Sequence, residues 1–396
     1  MSMVQGPPRG RIAARVASQA PSAVREMFEM ANRLERQGEH VIHLEIGRPW
    51  FDTPAHIKAA AKEALDRGMV HYSPNRGIPE LRRALAVKLQ RDNGIAADPE
   101  IEILVTTGNK QATFLTMLCL IEPGDEVILT DPAYSPHFKE IVFAGGVPRL
   151  VRLSAQDGWR LHAEAIAEAV TERTRLIFLN TPHNPSGRVF TREEIQAVAD
   201  VALARDLLVL TDETYEYIVY DGLRHHSLAS FPGMRERTIS TFAFTKSYAM
   251  DGWRLGYLAA PAPLIDAMVK VVQLDTAGPN TFAQFGAVAA IEGGTAVVAE
   301  MVAYDQAARD LIVRRMNDMG LPCPPVEGTI HALPDFSAVD RSSERAAKML
   351  LERCRVAATP GKAYGAQAEG RVRFSFGAVP HDHLQEAMDR IARLGA

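Results

Sequence analysis

The chain has 396 residues, 47% of them hydrophobic and 23% charged, with a formal net charge of -4. That length exceeds what one hydrophobic core serves, so two domains are expected, and the slightly acidic balance gives no electrostatic ground for nucleic acid or an anionic membrane as partner. The three cysteines, Cys119, Cys323 and Cys354, form no metal-spaced pair, Met1 to Gly10 lacks an apolar signal core, and no apolar run is long enough to cross a bilayer, so a reducing, cytoplasmic setting is expected.

Helical periodicity over Ser22 to Gln37, stopped by Gly38, predicts a helix, and Val41 to Ile46 a short strand leading to Gly47. Asp52-Thr53-Pro54 caps a helix running to about Arg67, and the turn-rich loop His71 to Gly77, with Tyr72 in it, precedes another helix near Pro79. From Ile101 to Arg149 short β-branched runs alternate with helix-length segments, which indicates an α/β sheet with crossover helices. The strand Ile103 to Thr107 runs straight into Gly108-Asn109-Lys110-Gln111 and a helix ending at Leu120. Amides at that helix start suit an anion, and plain turn geometry is the other account of the glycine. The strand Glu126 to Thr130 ends in Asp131-Pro132-Ala133-Tyr134, where the tyrosine either covers a planar ligand or packs.

The strand Leu176 to Leu179 ends in a loop that holds Asn184 between two prolines, Pro182 and Pro185, so its amide is aimed. A helix from Glu193 to Arg205 then leads to the strand Leu207 to Leu210 and to Asp212 and Tyr215. A bare carboxylate would be costly there, so Asp212 either meets a cation or a protonated ring nitrogen, or caps a helix. Thr241 to Tyr257 places Lys246 among small and aromatic residues, with Arg254 following in a run that has neither helical nor strand period. A lysine in apolar surroundings loses its proton easily and attacks carbonyls; a solvated lysine beside a turn is the alternative. Beyond it, Pro261 to Ile291 reads as helix broken at Gly278-Pro279-Asn280, and Ala296 to Asp318 as one long helix. Strand-like Thr329 to Phe336, a helix over Ser343 to Arg353, Val356 to Pro360 and Arg371 to Phe376 then form a distinct α+β unit, with a boundary near Phe285 to Ala296.

These strand-end residues converge on one kind of ligand. An aldehyde would suit Lys246, a ring nitrogen Asp212, a phenolic oxygen Asn184 and Tyr215, an aromatic face Tyr134, and a phosphate the Gly108 turn with Arg254. Pyridoxal 5'-phosphate carries all of these groups, and ligands bind at strand ends in such sheets.

In motif order and spacing the chain resembles, over nearly its whole length, the class I/II aminotransferases of the fold type I pyridoxal-phosphate family. The resemblance implies a large domain over residues 48–288, with a mostly parallel central sheet flanked by helices, and a smaller α+β domain built from both chain ends, 1–47 and 289–396. It implies catalytic roles for Lys246, which forms the Schiff base, Asp212, which keeps the ring nitrogen protonated, and Tyr215, which with Asn184 bonds the ring oxygen. Tyr134 would stack on the ring. Gly108, the amides and side chains of Asn109 and Lys110, and Arg254 would hold the phosphate, while Tyr72 would reach the neighbouring subunit's cofactor in a homodimer with shared sites. Gly47, Asn184 and Arg373 match the substrate-binding positions, with Arg371 as rival to Arg373 for the α-carboxylate.

Ala243 departs from the family, which usually has a phosphate-binding serine there; Thr241 or Thr245 would have to substitute. The implied reaction moves an amino group between an L-amino acid and a 2-oxo acid, with Lys246 as nucleophile and acid/base. Lys110 resembles a subgroup lysine that meets a distal carboxylate, whereas Val24 replaces that subgroup's threonine and Thr276 to Asn280 lacks another subgroup's arginine. A lyase on the same scaffold is the alternative chemistry, and a ligand-sensing regulator is the non-enzymatic one.

Overall fold

Runs of branched aliphatic residues build one central sheet, and its strand ends carry the polar residues. The structure, a computed structural model, describes residues 12–19 and 21–394; the Met1 to Gly10 stretch lies outside the described residues. After a two-residue strand β1 (Ile42–His43) come β2 (Ile103–Thr106), β3 (Glu126–Asp131), β4 (Val147–Arg152), β5 (Thr174–Asn180), β6 (Leu208–Asp212), β7 (Thr238–Ala243) and β8 (Gly256–Ala259). Strands β2 to β8 form a seven-stranded sheet in the order β2-β8-β7-β6-β5-β3-β4. All of its pairings are parallel except the two made by β8.

Helices cover both faces, so the inner strands are buried on both sides and read as continuous apolar runs. Only the edge strand β4 is largely exposed. Parallel strands end at the same edge of a sheet. The register sets Asn180 opposite Asp212 and Asp212 opposite Thr241, so these ends form one row. Thr106 and Ala243 both pair with Gly256, which brings the start of the Asn109–Leu120 helix and the Lys246 segment to that same edge.

The chain ends meet in a second core, where Met27, Ile42 and Leu44 pack with Ile312, Leu350 and Phe374. There β1 pairs in parallel with β10 (Val356–Ala357), and β9 (His331–Ala332), β12 (Val372–Ser375) and β11 (Thr359–Pro360) make an antiparallel sheet. Two expected strands are shorter than the β-propensity of their residues suggested. Val41 to Ile46 forms ladder only over Ile42–His43, because its partner β10 is two residues long, and Thr329 to Phe336 does so only over His331–Ala332. Thr191 starts the Arg192–Ala204 helix with a capping box, its hydroxyl accepting from the Glu194 amide. No single helix among the described residues is long and apolar enough to cross a membrane.

Candidate active site

A cavity of about 510 Å³ opens at the shared strand ends, between the sheet edge and the second core. Lys246 enters it from the Phe244–Ser247 turn that directly follows β7. Its Nζ donates to the Gly47 carbonyl. Burial lowers its pKa to about 8, with the Asp251 carboxylate opposing the shift and Arg373 and Arg254 adding to it. The amine is therefore far more available as a nucleophile near neutral pH than an ordinary lysine.

Asp212 ends β6 and is 5% exposed. Its Oδ1 accepts from Asn109 Nδ2 at 2.8 Å and from the Thr214 amide at 3.1 Å, and Oδ2 lies 3.2 Å from His137 Nε2. Burial alone would raise its pKa, but the contacts with His137 and Thr214 outweigh that and hold it below the ordinary carboxylate value. The side chain of Asn109 is thus committed to Asp212 and to Thr214 Oγ1. Both protons of the amide are engaged there, and the Asn109 backbone stands at the helix start.

At the helix start, Gly108 has φ +78° and a Cβ there would come within 2.6 Å of Arg254 Nη2. The positive φ favours a glycine there, and a Cβ would also press on the tip of the guanidinium. Arg254 donates to the Asp251 carbonyl and, among the described residues, makes no ion pair. The helix amides and this cation form an anion cradle. Ala243 and Thr245 line the same cavity. Thr241 is fully buried and donates to the Thr211 carbonyl at 3.0 Å, so it cannot replace the missing serine.

Arg373, 3% exposed, reaches the opposite wall, donating to Asn184 Oδ1 at 3.3 Å and to the Glu45 carbonyl at 2.7 Å. No carboxylate among the described residues ion-pairs with it. Arg371 instead pairs with Asp335 at 3.1 Å and covers Trp159, so it points away from the cavity. Gly47, Tyr134, Asn184 and Tyr215 all line the cavity. Tyr72 does not; it is 94% exposed on the surface of its own chain. Lys110, Arg25, Arg48 and Glu140 also line the cavity.

Three wall residues escaped the sequence reading. His137 has a readable signal, since it falls three residues after Tyr134 in the same strand-end segment. Glu140, one turn further, is buried with Oε2 lacking a partner among the described residues, and burial pushes its pKa up to about 7. His331 contacts Tyr215 Oη at 2.8 Å across 116 positions of sequence, which no local pattern reveals.

A family model described as aminotransferase class I and II matches residues 39–391. The chain belongs to the class I and II aminotransferases. It is 40% identical over 376 residues to an aspartate aminotransferase of Pyrococcus abyssi, covering 94% of this chain and 95% of that one. It is 39% identical to aromatic-amino-acid aminotransferase 2 of Thermococcus litoralis over the same shares of the two chains. The solved structure of the Thermus thermophilus aspartate aminotransferase with maleate superposes with a TM-score of 0.92 at 36% identity, covering 97% of this chain and 99% of that one. The aminotransferase described here is accordingly a fold type I, pyridoxal-phosphate-dependent enzyme that acts on amino acids and 2-oxo acids.

Proposed function

We propose that Lys246 is the covalent anchor of pyridoxal phosphate and that Asp212, Tyr215, Asn184 and the Gly108–Arg254 cradle hold its remaining groups. The observation that carries this reading is the convergence of a lysine of lowered pKa, a buried carboxylate and an anion cradle on one cavity. The donor set suits the cofactor chemically: the cradle is one that a Cβ at Gly108 would fill. When bound, the cofactor supplies an electrophilic carbon and a ring that accepts the electrons of the substrate's Cα–H bond.

The remaining work belongs to the protein. Arg373 forks onto the substrate α-carboxylate, assisted by Asn184 and the Gly47 backbone, and so aims the Cα–H bond. The Lys246 amine, which donates to the Gly47 carbonyl, would be the base that takes the Cα proton and the acid that gives it back. Asp212, held ionised by its partners, keeps the ring nitrogen protonated. Tyr134, which lines the cavity, would cover one face of the ring. The expected role of the Asn109 side chain becomes that of orienting Asp212.

The substrate class this site supports best is an acidic amino acid. Lys110 lines the cavity and lies near enough to Glu140 for its charge to be felt there, yet forms no salt bridge among the described residues. An approaching distal carboxylate therefore meets an available cation, as the relatives' names, aspartate aminotransferase among them, also suggest. Lys110→Met is expected to lower kcat/KM for aspartate by roughly 10- to 100-fold while leaving that for phenylalanine within about threefold. Steady-state kinetics with both donors checks this; an equal loss for the two would remove Lys110 from specificity.

The same reading includes a homodimer. Tyr72 and Leu274 are large apolar groups, 94% and 87% exposed, and the Tyr72 loop is fixed by the Thr281 hydroxyl donating to the His71 carbonyl at 2.5 Å. Such exposure suits a subunit interface through which Tyr72 reaches the partner's cofactor. The division into residues 48–288 and 1–47 with 289–396 is supported by the separate core that joins the two chain ends. Three unpaired cysteines fit a reducing, cytoplasmic location.

A further inference from the structure

His331 lies where the small sheet faces the cavity. On β12, Arg373 and Ser375 are two residues apart and share a face, and the register sets Ser375 directly opposite His331 of β9. All three side chains therefore project together toward Tyr215. The distances make a continuous chain: Arg373 Nη2 to Ser375 Oγ 3.3 Å, Ser375 Oγ to His331 Nδ1 3.1 Å, and His331 Nε2 to Tyr215 Oη 2.8 Å. The ring is fully buried and packs edge-on against Tyr215. It also fills the space above Gly47, where a Cβ would come within 2.7 Å of His331 Cε1.

Arginine has donors only, so Ser375 Oγ accepts from Arg373, and in the tautomer assigned to the relay it turns its own proton to Nδ1. Nδ1 is then an acceptor, and the ring proton is on Nε2. Donation from Nε2 occupies a lone pair of the Tyr215 oxygen and leaves the phenolic hydrogen to point into the cavity. We infer that His331 is a positioning residue, which links the arginine assigned to the substrate carboxylate to the tyrosine assigned to the cofactor's ring oxygen and holds that tyrosine as a donor. Burial, reinforced by the charges of Arg373 and Lys246, lowers the pKa of the ring well below the ordinary histidine value, so it is neutral and keeps the one-donor, one-acceptor form the relay needs.

The inference rests on the proposed placement of Tyr215 at the ring oxygen, and the experiment separates the two. The measurement is a spectrophotometric pH titration of the lysine-bound cofactor in the whole enzyme. A donor to the ring oxygen stabilises the deprotonated Schiff base, so losing it raises the midpoint. Tyr215→Phe is expected to raise it, His331→Phe to raise it by about one pH unit, and the double variant to go no higher than Tyr215→Phe alone. His331→Gln, which keeps a donor near the Nε2 position, is expected to stay near the wild-type midpoint.

A wild-type midpoint in His331→Phe, with Tyr215→Phe shifted, would overturn the relay and leave the site reading intact. If Tyr215→Phe itself leaves the midpoint unchanged, the placement of Tyr215 fails and the relay with it. Should His331→Phe not fold, Ser375→Ala carries the test: it removes the donor to Nδ1, and its midpoint is expected to rise, an unchanged value overturning the relay.

Discussion

Lys246→Ala is expected to lower turnover by about 10⁴-fold or more and to abolish the absorbance of the lysine-bound cofactor. The loss is large because one amine serves as both nucleophile and proton carrier, and among the described residues Lys110 is the one other lysine that lines the cavity. The variant should still fold, since among the described residues the Lys246 side chain makes a single hydrogen bond, to the Gly47 carbonyl. It should also still bind the cofactor through the Gly108–Arg254 cradle and Asp212, now as a free aldehyde. Absorbance spectra and single-turnover rates on the same sample check both parts. Retention of turnover together with the Schiff-base absorbance would remove Lys246 from its role.

The second large effect is at Asp212. Asparagine has the same shape and keeps an acceptor for Asn109 and the Thr214 amide, so Asp212→Asn isolates the charge. Without it the ring nitrogen loses the anion that keeps it protonated, and the electron sink weakens. An electrostatic group aimed at developing charge is worth roughly 10²- to 10³-fold in rate, and kcat is expected to fall by about that factor. Cofactor affinity, set mostly by Lys246 and the cradle, should change far less. The rate of the first half-reaction, measured by stopped flow, decides. An undiminished rate would mean that the charge of Asp212 is not used, and that its contacts with His137 serve folding alone.

Much of this site was legible because parallel strands deliver their carboxyl ends to one edge. Asn184, Asp212 and Lys246 follow three successive strands, and the apolar runs before them marked those ends in advance. What the sequence concealed are choices made by contacts distant in the chain. Asn109 and Asp212 are 103 positions apart, so nothing local says that the asparagine amide donates to that carboxylate. Arg371 and Arg373 share the two-residue period of a strand and cannot be ranked by it. Only the bridge between Arg371 and Asp335 turns the first away from the cavity. Thr241 was equally ambiguous: its strand position, opposite Asp212, sends its hydroxyl to the Thr211 carbonyl and leaves Thr245 as the hydroxyl beside Ala243.

The pairing of His137 with Asp212 shows how a strand-end residue can be half visible. Its place near Tyr134 follows from the chain, but its 3.2 Å approach to the carboxylate depends on how the Ser135–Phe143 helix packs over Phe178. The short strands of the second core have a similar cause. The ladder of β1 is set by a partner at the other end of the chain and that of β9 by β12, about forty residues on, so residues with strand character remain unpaired beyond them.

The central claim, that this cavity transfers an amino group by way of Lys246, is tested most directly by a half-reaction with one amino acid and no 2-oxo acid. Purified holoenzyme is mixed with aspartate, the absorbance of the lysine-bound cofactor is followed, and the products are assayed. The expected result is bleaching of that absorbance with one equivalent of the matching four-carbon 2-oxo acid per subunit, without ammonia or carbon dioxide, and recovery when a 2-oxo acid is added. Continuous release of ammonia or carbon dioxide beyond one equivalent, with the absorbance unchanged, would contradict it.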